Sequence, residues 1–68
     1  MKRTEAAEII AIDVRVWARR TGQPITLTLC EERVSELRGD HYQQYLKGEA
    51  AKYSNPKTVL REAMRHPL

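Results

Sequence analysis

A single cysteine, no phenylalanine, two histidines and three scattered glycines leave this sequence short of residues used for disulfide frameworks, metal centres and phosphate-binding loops. Cys30 has no second cysteine to bridge, so an intrachain disulfide is excluded. Two histidines without a cysteine pair or a clustered ligand spacing argue against a structural zinc. Gly22, Gly39 and Gly48 stand alone, whereas a phosphate-cradling loop needs glycines grouped at fixed offsets. Long apolar runs are also missing. The most apolar stretch, Ile9 to Ala18, is interrupted by Asp13 and Arg15 and falls short of the roughly 20 residues that span a bilayer. It lacks the small-residue cleavage site of a signal peptide. A lone thiol and no export signal lead to the expectation of a cytoplasmic protein with no membrane contact.

What is present has to fold with little material. The 68 residues suit one small domain, 1–68. The ordering cost, roughly 1.5 kcal/mol per residue, nearly cancels the burial gain in so short a chain. With an intrachain disulfide excluded and a structural zinc disfavoured, self-association is the remaining common support, and a homodimer is expected. Such a chain leaves little room for a deep enclosed pocket beside its core.

Charge is unevenly spread. Residues 1–24 carry a net +2, residues 25–50 a net −2 and residues 51–68 a net +3. Basic ends around an acidic middle suit an anionic partner, although the same layout also describes an ordinary solvated surface.

Along the chain, the first segment can be read in two ways. As a helix from Glu5 to about Arg20, it has Thr4 as N-cap and Gly22 past its end. Ala7, Ile10, Val14, Trp17 and Ala18 then share one face, while Ile9, Ile12 and Val16 form a second apolar stripe. As a strand, Ile10, Ile12, Val14 and Val16 alternate with their neighbours, which their β-branched side chains favour locally. Glu5-Ala6-Ala7-Glu8 and the arginines before Gly22 favour the helix. Ile25 to Leu29 alternates with threonine and reads as a short strand or one arm of a hairpin. Alternatively it is an extended linker, with Thr28 and Glu31 forming a capping box. Cys30, Val34 and Leu37 then mark a helix ended by Gly39. Asp40 can cap a third helix that gathers Tyr42, Tyr45, Leu46 and Tyr53, with Gly48 weakening or ending it. The last helix opens at Ser54 or Asn55 with Pro56 in its first position, buries Val59, Leu60, Ala63 and Met64, and closes at Pro67. The fold class is mostly α, with three to four short helices and at most one short strand or hairpin at about 25–29.

Catalysis finds little support. Cys30 lies in an apolar stripe, and no signature ties it to His41 or His66. Glu31, Glu32 and Glu36 follow a helix start, where carboxylates favour the dipole anyway. Neither an enzyme nor a bound cofactor is expected. Lys57, Arg61 and Arg65 recur every four residues and line one side of the last helix. Lys57 also falls in its first turn, where a cation opposes the helix dipole unless an anion arrives.

The order of a Thr-rich strand, a helix and a second helix opened by Ser54-Asn55-Pro56 resembles a ribbon-helix-helix repressor over residues 24–66. That resemblance implies a two-fold strand pair with Thr26 and Thr28 facing the major groove, and Ser54, Asn55 and Lys57 at phosphate. The stretch from Cys30 to Ser54 is longer than that arrangement needs, and the strand carries no Arg, Asn or Gln on its outer face. A helix-turn-helix is the competing form. The expected function is that of a small DNA-binding transcriptional regulator of bacterial, phage or plasmid type. Lys57, Arg61, Arg65, Asn55, Thr26, Thr28 and Arg19 would meet nucleic acid. Ile9, Ile12, Val16 and Trp17 would hold a dimer or another protein. The alternative is a protein-binding regulator or inhibitor with no nucleic-acid contact, since Trp, Tyr and Arg also make interface hot spots.

Overall fold

The first segment forms a helix because its alanines and aliphatics fall on one arc while its opposite arc stays in water. A computed structural model describes residues 1–39 and 45–65. Helix α1 runs Arg3–Thr21 and buries Ala6, Ala7, Ile10, Ala11, Asp13, Val14 and Ala18. The local strand preference of Ile10 to Val16 is overridden, since the stretch that would have paired with it is used to start the next helix. Lys2, not Thr4, precedes the helix with extended backbone, and its carbonyl accepts the first-turn bond from the Ala6 N–H at 3.0 Å. Thr4 lies one residue inside the helix. The other end matches the sequence expectation. Gly22 takes φ 70°, the left-handed region a glycine enters without a Cβ penalty, and the Ala18 carbonyl accepts from both Gly22 and Gln23.

Among the described residues there is no strand at 25–29. Helix α2 spans Leu27–Gly39, so the segment is an extended entry followed by a helix start. Thr26 is the cap: its Oγ1 accepts from the Leu29 N–H at 3.2 Å, and its carbonyl accepts from the Cys30 N–H at 3.1 Å. The expected box at Thr28 and Glu31 therefore lies two residues too late. Pro24 disfavours helical backbone at Gln23, and Ile25 packs against the core just before the cap. The two-fold ribbon, and the ribbon-helix-helix likeness that needed it, lose their strand.

Helix α3, Tyr45–Lys52, continues through Gly48 and buries Gly48, Ala50 and Ala51. Its packed face is made of small residues, so the large ones turn outward: Tyr45 is 71% exposed, and Leu46 and Tyr53 are also exposed. Asp40 and Tyr42, the expected cap and first tyrosine of this helix, lie outside the described residues. Helix α4, Pro56–Arg65, follows its sequence signals closely. Asn55 Oδ1 accepts from the Lys57 N–H at 2.8 Å, and Pro56 occupies the first turn, where its missing N–H costs nothing. Val59 and Ala63 are buried and Leu60 packs partly against the core, but Met64 faces water and Glu62 takes the inward position.

Helices α1 and α2 touch each other, and each touches both α3 and α4. One core joins them, and seven of its fourteen buried apolar residues are alanine. A buried carboxylate on α1 ties three of the helices together. Asp13, 7% exposed, accepts from Arg33 Nε at 2.8 Å and from Lys47 Nζ at 3.1 Å, linking α1 to α2 and α3. The Arg33 guanidinium also stacks over Trp17, 4.1 Å from the ring centroid.

Removing the carboxylate would leave the Arg33 charge buried and uncompensated, whereas Lys47 can return to water. Asp13→Ala is expected to cost about 3–5 kcal/mol and Lys47→Ala under about 1 kcal/mol. Urea titration followed by Trp17 fluorescence measures both; equal losses would contradict this hierarchy.

Candidate nucleic-acid interface

The sequence candidates separate into groups once the helices are placed. Lys57, Arg61 and Arg65 are all exposed along one side of α4. Arg65 NH1 lies 3.5 Å from Glu62 Oε1, which offsets part of its charge. Lys57 and Arg61 have no carboxylate partner within ion-pair distance among the described residues, so their charge is directed to solvent. Asn55 is occupied in capping α4 through its side chain.

The start of α4 also collects cations from elsewhere. A cleft of about 430 Å³ there is lined by Arg3 from α1, Arg38 from α2 and Lys52 from α3, together with Ser54, Asn55 and Thr58. Among the described residues no carboxylate lines it. Arg38 is held in place because its Nε donates to the Ala51 carbonyl at 2.9 Å and its NH2 to the Ser54 carbonyl at 3.4 Å. It thereby ties the end of α2 to the last turn of α3 and to the connection that follows it. Ser54 assists, its hydroxyl donating to the Ala50 carbonyl at 2.6 Å. Lys52 shares its charge with Glu49 at 3.1 Å. Three helix ends thus bring positive charge to the N-terminus of a fourth, where the positive end of the helix dipole already favours anions.

Sequence reasoning did not bring Arg3, Arg38 and Lys52 together. The available signal was that Arg38 and Lys52 each close a helix, a position that favours cations locally. Nothing in the linear order shows that these ends converge.

The remaining candidates lie elsewhere. Thr26 is the cap of α2, and Thr28 is exposed in the first turn of that helix, so neither belongs to a groove-reading strand. Arg19 sits in the last turn of α1, sixteen residues beyond Arg3 and therefore about 24 Å away along the helix. The expected apolar interface also divides. Ile12 and Val16 are 54% and 48% exposed, while Ile9 and Trp17 pack partly against the core.

Among the described residues no group of acidic, histidine or cysteine side chains could hold a metal ion, and no helix is long and apolar enough to cross a membrane. His41 and His66 lie outside the described residues. Cys30 is fully buried, and that burial, reinforced by the neighbouring Glu31 charge, pushes its thiol above its ordinary value.

The folded chain therefore disfavours a thiolate that the unfolded chain forms more readily. Below the ordinary thiol range this contribution to stability is complete, and it is lost as pH rises through that range. Urea midpoints at neutral and alkaline pH should show a fall that is smaller in Cys30→Ala, and thiol-reactive dye should label Cys30 only on unfolding. Rapid labelling of the native protein would contradict the burial. The chain matches no family model, and comparison with curated proteins and with solved structures gave no match.

Proposed function

We propose that this chain is a small DNA-binding regulator that holds the phosphate backbone with the start and basic side of α4. The observation that carries the proposal is the cleft at Asn55 and Pro56, where Arg3, Arg38 and Lys52 converge with no lining carboxylate among the described residues. Lys57 and Arg61 extend that charge along the helix. A phosphate at this point would be met by cations and by the N-terminal end of the helix dipole, and would relieve the conflict between Lys57 and that dipole. Such contacts position a protein on a duplex without reading its sequence. A cytoplasmic regulator of bacterial, phage or plasmid type accords with this size and charge. The second reading, a protein-binding regulator with no nucleic-acid contact, draws on the exposed Tyr45, Leu46 and Tyr53, since aromatic side chains are enriched at interfaces.

Anisotropy of a labelled random duplex tests the first reading. About four phosphate contacts, from Arg3, Lys52, Lys57 and Arg61, predict a salt slope near −3.6. Each substitution in a Lys57→Ala, Arg61→Ala pair should make that slope shallower by about 0.9. Absence of binding at low salt, or a slope unmoved by both changes, would leave only the protein-binding reading.

A further inference from the structure

The outer face of α1 carries a pattern that neither the core nor the helix itself explains. Ile12 and Val16 stand exposed at its middle. At 100° per residue, Glu5 and Glu8 precede them on the same face, and Arg15 and Arg19 follow them. The helix dipole accounts for Glu5 in the first turn and Arg19 in the last. Its influence fades within those turns and does not account for Glu8 or Arg15. Neither of these two has an oppositely charged residue three or four positions away with which to pair along the helix.

A second observation lies beside the same face. Glu8, Ile12, Arg15 and Glu62 line a cleft of about 200 Å³ between α1 and α4. Within it Arg15 Nε and Glu62 Oε2 are both buried, and neither has a hydrogen-bond partner among the described residues. Glu62 is only 6% exposed, so its free oxygen is costly unless something reaches it.

We infer that this face binds a second copy of the chain, with the two α1 helices antiparallel about a two-fold axis through Ile12. Charge complementarity selects both the partner and the direction. Antiparallel pairing centred on residue 12 opposes positions whose numbers sum to about 24. Glu5 then meets the partner's Arg19, and the partner's Arg15 arrives beside Glu8 and the unsatisfied Glu62. Ile12 meets itself, flanked by Val16 from each copy. A parallel pair would set glutamate against glutamate and arginine against arginine. The interface is isologous, so each contact is made twice. It assigns Arg19 to protein rather than nucleic acid, and it does not depend on DNA binding.

Sedimentation equilibrium over the micromolar range should return a mass of two chains, and Ile12→Asp should raise the dissociation constant by about a hundredfold or more. Ile12 is exposed, so circular dichroism of that variant should be unchanged. Glu5→Arg alone should weaken the dimer, and adding Arg19→Glu should restore it. Under oxidation Ile12→Cys should cross-link to itself. Glu5→Cys should not cross-link alone, but should do so when mixed with Arg19→Cys. A mass of one chain up to about 1 mM, at which only millimolar affinity would remain, would overturn the proposal. So would a dimer indifferent to Ile12→Asp, or self-cross-linking at residue 5.

Discussion

The Asp13 carboxylate is the constraint around which the other helices are arranged. It lies on the buried arc of α1 among alanines and aliphatics, where an unpaired charge would be prohibitive. Its two oxygens therefore dictate where Arg33 and Lys47 must stand, and this fixes the register of α2 and α3 against α1. Alanine makes up half of the buried apolar set, so the core offers small contact areas and few large side chains to define one packing. A buried ion pair adds little net stability compared with a well-packed apolar substitute, but it penalises arrangements that separate its partners. In this chain it selects an arrangement that a mostly alanine core would define poorly. Trp17, one turn along from Asp13, covers the other side of the Arg33 guanidinium and completes its enclosure.

The elements legible in the sequence were those governed by neighbours in the chain. Gly22 ends α1, Asn55 and Pro56 open α4, and the Cys30, Val34, Leu37 stripe is buried as its spacing requires. Ile25 to Leu29 was misleading because a threonine alternation and a capped helix entry look alike until the burial of Leu29 and Cys30 is known. The outward turn of Tyr45 and Leu46 was illegible for a related reason. Which side of α3 is buried depends on the small residues Gly48, Ala50 and Ala51 meeting two other helices, and no local rule makes alanine outrank tyrosine. The Asp13–Arg33 pair spans twenty residues, beyond any helical spacing.

The linear charge blocks take a different meaning in three dimensions. Of the three cations in the acidic middle, Arg33 is spent inside the fold on Asp13, and Arg38 is drawn into the cleft at the start of α4. Glu31, Glu32 and Glu36 are left exposed on α2. The surface is consequently more polarised than a net charge of +3 suggests. It has an acidic α2 side and a basic region assembled from four helices. A polyanion approaching such a surface would be oriented by the field before making any contact.

The two proposed surfaces occupy different parts of the molecule, and their geometry can be considered together. The cationic cleft contains Arg3, nine residues before Ile12, at the N-terminal end of α1. In an antiparallel pair centred on Ile12, the two Arg3 ends point in opposite directions, about 27 Å apart along the helix axis. The clefts would then face outward from the pair, each with its own α4. Half-sites read by two-fold regulators repeat at roughly 34–36 Å, one turn of duplex. A separation of that order would bring the two clefts of one dimer toward successive turns of backbone. A parallel pair would put both clefts at the same end of the dimer and lose that span. The direction of α1 pairing would therefore set whether the two cationic clefts of a dimer stand together at one end or apart at opposite ends.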